Sequence, residues 1–187
     1  MSDHQQNRIT LGRMQISERS SRETVCFKAT VVFDGQPIAV AENEGRGGIT
    51  VIQALSGTDP ELTQARAFAN ALPPYIRKYT ERSGTTTVGE QLMSLELLID
   101  LLAGRALEEK RLRIRFKRAY GKRLLFVSGT EILYPKEVFL PACSAEQIER
   151  FVADIRGQYG PDTPILIEMK RDEALALWLK VLLPSAL

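Results

Sequence analysis

From Glu23 to Phe33, the residues Val25, Phe27, Ala29, Val31 and Phe33 fall at every second position, and Asp34-Gly35 follows directly. A period of two sets all five side chains on one face of a strand. Asp-Gly supplies the positive φ angles that a tight two-residue turn demands. This stretch therefore predicts an antiparallel hairpin whose returning strand is Pro37 to Ala41. Pro37 belongs near the start of that strand, where a missing amide costs little.

Around the hairpin, Ile9, Leu11, Met14 and Ile16 alternate loosely within Arg8 to Glu18, as in an edge strand. Glu42 to Gly48 is a glycine-rich interruption, and Ile49 to Leu55 reads either as a strand or as the lead into a helix. Asp59-Pro60-Glu61 marks a helix start, with Leu62, Ala65, Ala69 and Leu72 on one face. Pro73-Pro74 must end or bend that helix, although Tyr75, Ile76 and Tyr79 continue at helical spacing. Thr87 and Glu90 stand at capping-box spacing ahead of Leu92, Met93, Leu95, Leu97, Leu98, Ile99, Leu101 and Leu102, which predicts a buried central helix.

Farther on, Arg123 to Ser128 and Glu131 to Tyr134 flank Gly129-Thr130 as a second hairpin. Ser144 and Gln147 repeat the capping-box spacing before Ile148, Phe151, Val152 and Ile155. Gly157 to Pro164 breaks that helix. Ile165 to Met169 predicts a short strand, and Asp172 to Leu183 a last helix. Strands grouped at both ends around helices predict an α+β fold: an antiparallel sheet with the N-terminal hairpin, packed against a central buried helix and further helices.

With 187 residues, 44% of them hydrophobic, the chain is long enough for one sizeable core. No Pro/Gly/Ser-rich linker divides it, so residues 1–187 are expected to form one domain, with 1–7 as a disordered tail. Met1 to Thr10 lacks the features of a secretory leader. Glu96 and Asp100 interrupt the greasiest run, Leu95 to Ala103, so no membrane span is expected. Cys26 and Cys143 are isolated thiols, as in a reducing compartment, and the cytoplasm is the expected location.

A net charge of +2 conceals a local excess. Lys110, Arg111, Arg113, Arg115, Lys117, Arg118, Lys122 and Arg123 are eight of the 25 cations and fall within fourteen residues that hold no acid; the other 17 face 23 acids. Local fields of this kind, rather than net charge, attract polyanions. Read as a helix, the segment puts Leu112, Phe116, Ala119 and Tyr120 in one stripe with Gly121 as terminator. Read as a strand, it alternates Leu112, Ile114 and Phe116 with Arg111, Arg113, Arg115 and Lys117. A strand candidate directly after Gly121 favours the helix. Phe116 and Tyr120 then offer stacking surfaces beside phosphate-binding charges, as a nucleic-acid groove requires.

The residue types also restrict chemistry. His4, in the expected tail, is the only histidine, so a serine or cysteine nucleophile finds no histidine base in the folded body, and a histidine-ligated zinc site cannot be assembled. No cofactor or metal is expected. Carboxylate chemistry has candidates in Glu42 with Glu44, Glu108 with Glu109, and Asp172 with Glu173, each of which also reads as solvated surface.

Two further stretches invite a binding role. Gly45, Arg46, Gly47 and Gly48 form the one glycine cluster, whose amides could cradle an anion, although it has neither P-loop nor dinucleotide-fingerprint spacing. The last helix carries Leu175, Trp178, Leu179 and Leu182 together, either for the protein's own core or for a homo-oligomer or partner interface anchored by Trp178.

The hairpin Val25 to Ala41, the glycine cluster Asn43 to Gly48, the long middle helix ending in a basic run before Arg123 to Val127, and the late helix Ser144 to Gly157 follow one another in an order that resembles small proteins of unassigned activity encoded by phages and plasmids. Arg46 stands where such proteins carry a histidine. The resemblance implies a mobile-element origin and carries over no family activity; small accessory proteins of that kind often act by binding host machinery. The expectation is a non-enzymatic protein that engages nucleic acid or a host nucleoprotein or defence complex through Lys110 to Arg123. A protein adaptor or inhibitor is the alternative, and a metal-dependent nuclease the third reading.

Overall fold

The turn at Asp34-Gly35 forms as its residue types require, with φ of 49° and 82°. It joins β2 (Cys26–Phe33) to β3 (Gln36–Glu44) in antiparallel register. The computed structural model describes residues 6–80 and 86–183. On the outer sides, β1 (Ile9–Ile16) and β4 (Val51–Ala54) complete a four-stranded antiparallel sheet in the order β1-β2-β3-β4. The stretch Ile49 to Leu55, open between strand and helix on pattern alone, is thus an edge strand.

Two compact units make up the chain, one reaching to Leu107 and one beginning at Glu108. In the first, the inward face of β2 buries Phe27, Ala29, Val31 and Phe33. These meet Ala65 and Ala69 of α1 (Asp59–Asn70) and Leu95, Leu98, Ile99 and Ala103 from the first half of α2 (Leu95–Ala119). Each large apolar side chain so buried contributes about 1.5–3 kcal/mol. The fold is α+β, and the hairpin sheet packs on the central helix as its patterning predicts.

The second unit holds the rest of α2, a hairpin of β7 (Phe126–Ser128) and β8 (Glu131–Leu133), α3 (Ala145–Tyr159) and α4 (Arg171–Leu182). Its buried residues form two clusters, one around Leu124, Phe126, Val152, Ile155 and Ile165, the other around Leu112, Phe116, Leu166 and Trp178. The buried side chains of the first unit form a third cluster of their own. The capping box opens α3 as expected: Gln147 N donates to Ser144 Oγ at 3.2 Å and Ser144 N donates to Gln147 Oε1 at 2.8 Å. Gly121, at φ 74°, ends α2.

Several expectations are overturned. Thr87 and Glu90 do not cap α2; they lie in β6 (Thr86–Gln91), which pairs antiparallel with β5 (Tyr75–Thr80). Thr86, Thr87 and Val88 are β-branched and favour a strand. The cap is Ser94, whose Oγ accepts from Leu97 N at 3.2 Å. Tyr75, Ile76 and Tyr79 are likewise strand residues rather than a continuation of α1. Ile165 touches a strand at a single bridge to Phe126, and the chain then winds into a 3-10 turn over Leu166–Glu168, closed by Glu168 N donating to Ile165 O at 3.2 Å. Of the expected tail, residues 1–5, His4 included, lie outside the described residues, whereas the Gln6 amide is bound to both the N–H and the carbonyl of Ile9 at 3.0 Å.

A buried polar network pins the end of β3. Asn43 is 5% exposed and Thr50 2%. Asn43 Nδ2 donates to Gly48 O at 3.0 Å and to Thr50 Oγ1 at 3.1 Å, while its Oδ1 accepts from Thr24 Oγ1 and from Gly45 N, both at 2.8 Å. The Thr50 hydroxyl donates in turn to the Asp100 carboxylate on α2. Half-burial, reinforced by the charge of nearby Glu96 and opposed by the Thr50 hydrogen bond, raises the Asp100 carboxyl above the ordinary aspartate value. Gly45 sits where only glycine fits: its φ is 80°, and a Cβ there would lie 2.4 Å from Ser20 O and 2.8 Å from Cys26 Cβ.

Two outcomes follow from this network. Gly45→Ala is expected to lower stability by at least about 2 kcal/mol, combining left-handed strain with collision. Gly57→Ala, at φ 79° with open space around it, should cost only the ~1–2 kcal/mol of the backbone conformation; urea denaturation of the pair separates the two effects. For Asp100, a raised folded-state value means that ionisation costs stability as pH climbs through the carboxylate range. Asp100→Asn, which keeps an acceptor for Thr50, should therefore raise the urea midpoint at neutral pH, and the gain should vanish in acid, where the aspartate is protonated in both states.

Candidate nucleic-acid interface

The basic segment is helical, and its inward stripe is the one that helical spacing predicts. Leu112 and Phe116 are each 2% exposed, while Lys110, Arg111, Arg113, Arg115, Lys117, Arg118 and Lys122 are exposed. On a helix, residues four and three apart lie one above the other. Arg111, Arg115 and Arg118 therefore form one row, and Lys110, Arg113 and Lys117 another, with Ile114 (40% exposed) between them.

The cations differ in what they face. Arg113 is held by Glu109, one turn earlier, with Nη2–Oε1 at 2.7 Å, and Arg111 approaches Glu108 at 4.0 Å. Such exposed helical pairs contribute only a few tenths of a kcal/mol, yet they neutralise the upstream end of the run. Downstream, Arg115, Lys117, Arg118 and Lys122 have no carboxylate partner among the described residues. Lys117 and Arg118 do complement the helix dipole in its last turn, but Arg115 and Lys122 lie outside that turn. An acid-free run was evident in the sequence; that the two glutamates just before it reach in and cancel part of it was not, although the Glu109-Arg113 spacing encodes the contact.

Arg115, Arg118 and Arg123 converge on a groove of about 330 Å³ within the second unit. Ala119, Leu125, Ile132, Trp178 and Leu182 supply an apolar lining, and Tyr134 stands in its wall, 46% exposed. Arg123 is oriented by a hydrogen bond from its Nη1 to the Lys136 carbonyl at 3.1 Å, and its guanidinium carbon lies 5.5 Å from the centre of the Tyr134 ring. Tyr134 is the aromatic that sequence reasoning missed as a site residue, since it reads there only as the end of a strand.

The aromatics expected as stacking surfaces are engaged within the protein. Phe116 is core, stacked on Tyr120 with centroids 4.8 Å apart and edge-on to Trp178 at 5.8 Å. Tyr120 spends its hydroxyl on the Met169 carbonyl at 3.0 Å. Trp178 is not an exposed interface anchor either. It is 5% exposed, with Nε1 donating to Leu112 O at 3.1 Å, and Leu175, Leu179 and Leu182 are half-buried against the same cluster. Helix spacing aligned these residues correctly, but the apolar surface of α4 is taken up by the second unit's own core.

In the first unit, the glycine cluster is not an open cradle. Gly45 N and Gly47 N donate to Asn43 Oδ1 and Thr24 Oγ1, at 2.8 and 3.4 Å. Those two amides are spent on internal acceptors that an anion would have to displace. Arg46 instead joins Arg19 and Arg22 around a cavity of about 360 Å³, with Glu44 also in its wall. Gly48 gives its carbonyl to Asn43.

Of the carboxylate pairs, Glu42 binds Lys28 at 3.1 Å, and Glu108 and Glu109 are engaged as above. Among the described residues no three His, Cys, Asp or Glu side chains come together in a group that could hold a metal, and no helix is long and apolar enough to cross a membrane. No family model matches the chain, and neither the curated proteins nor the solved structures contain a match.

Because Trp178 fills the space between α4 and the end of α2, Trp178→Ala is expected to lower stability by about 3–5 kcal/mol. Trp178→Phe, which keeps an aromatic but loses the bond to Leu112 O, should lose less. Urea denaturation followed by far-ultraviolet circular dichroism measures both; wild-type stability of the alanine variant would mean that the indole is not part of the core.

Proposed function

We propose that this chain is a non-enzymatic binding protein whose ligand is nucleic acid, free or within a nucleoprotein complex, engaged through the downstream half of the basic segment. The observation that carries the reading is the convergence of Arg115, Arg118 and Arg123 on one groove, with no described carboxylate neutralising Arg115 or Arg118. Guanidiniums present rigid donor forks that suit phosphate oxygens, and they are less strongly hydrated than ammonium groups. Exposed guanidiniums that pair with no carboxylate of the protein have their donors free for phosphate oxygens. With a mobile-element origin, as the sequence resemblance implies, the bound complex would belong to host machinery such as a defence system. Action in the cytoplasm is part of the same proposal.

Binding through phosphates releases counterions, so affinity should fall steeply with salt, with a logarithmic slope of about 0.7–0.9 per phosphate contacted. Arg115→Gln with Arg118→Gln keeps both stems on the surface and should weaken binding while flattening that slope by about two. Fluorescence anisotropy across a salt series reads both effects. Unchanged affinity and slope in the folded double variant would refute the proposal.

A further inference from the structure

We infer that the groove between the end of α2 and the β7-β8 hairpin takes a base from single-stranded nucleic acid, with Tyr134 as its stacking surface and Arg115, Arg118 and Arg123 on the adjoining phosphates. This deepens the function proposed above and rests on it. A basic helix alone would suit any polyanion, and a duplex best of all, since a duplex offers the denser charge. What distinguishes this site is that three guanidiniums surround a concavity with an apolar lining of Leu125, Ile132 and Leu182 rather than a flat charged face. Duplex phosphates would meet the rim and leave the lining uncovered. A base has the missing property: it is flat, largely apolar on its faces, and tied to a phosphate at each side.

Tyr134 supports the same occupant. Its ring is 46% exposed in the wall of the groove, beside a guanidinium already fixed by the Lys136 carbonyl. An exposed aromatic next to an oriented arginine is the pairing on which unstacked bases settle, and only a single strand presents such bases without first breaking a pair. An acidic peptide would satisfy the arginines, but its carboxylates have no flat π-face for the ring.

The test uses the full chain and two fluorescein-labelled probes of one mixed sequence, a single strand and the corresponding duplex, with polyglutamate as competitor. The single strand should bind at least about tenfold more tightly than the duplex. Tyr134→Ala should remove about tenfold of affinity for the single strand and leave duplex affinity unchanged, with Tyr134→Phe close to wild type. Equal or tighter duplex binding, or a single-strand preference that Tyr134→Ala leaves intact, would overturn the base-seating assignment while the proposed function stands. Failure of both probes to bind would overturn the two together. Displacement of the single strand by polyglutamate at equal charge concentration would overturn the base-seating assignment in favour of an acidic protein segment.

Discussion

The indole of Trp178, packed edge-on against Phe116 and donating to the Leu112 carbonyl, fixes the rotation of the last turns of α2. Leu112 and Phe116 lie on the stripe that turns inward. Every cation outside that stripe is then forced to the surface, and Arg115 and Arg118 come to the edge that borders the β7-β8 hairpin. Burying an aromatic pair of this size is worth several kcal/mol, far more than the exposed ion pairs made by Glu108 and Glu109. Packing therefore decides where the charges point, and the charges only adjust themselves on the surface that packing leaves.

In the first unit a buried polar network at the end of β3 stands beside the apolar core. The Asn43 side chain satisfies two donors and two acceptors at once, from Thr24 and from Gly45, Gly48 and Thr50 of the loop that follows β3, which makes the glycine loop a fixed support. Its buried amide would be costly if any one partner were missing. That is why the glycine run, suggestive as an anion cradle in sequence, is occupied with the protein's own atoms. What it leaves outward is the Arg46 side chain near Arg19 and Arg22.

Much of this was legible in the sequence where a single local rule decides the outcome. The Asp34-Gly35 hairpin, the Ser144 capping box, the Gly121 terminator and the inward stripe of Leu112 and Phe116 each depend on spacing or on one residue's φ, and each is found. Legibility fails where two local rules compete or where a distant partner decides. Thr87 and Glu90 satisfy the capping-box spacing, but pairing with Tyr75 to Thr80 wins over it. Ile165 is strand-like in composition, yet it meets a partner for only one bridge. Phe116, Tyr120 and Trp178 are aromatics whose alignment is visible in sequence, whereas their exposure depends on what packs over them. For the same reason Tyr134 passes unnoticed: nothing in its neighbours announces that Arg123 will lie beside it.

The placement of the chain's one tryptophan has a spectroscopic consequence. Trp178 lies in the second unit, in an apolar setting and in the lining of the groove, so its emission reports the packing around the indole in that unit. Far-ultraviolet circular dichroism, by contrast, sums the helices and strands of both units. Because the indole also lines the groove, a ligand that entered there would change that emission without any label.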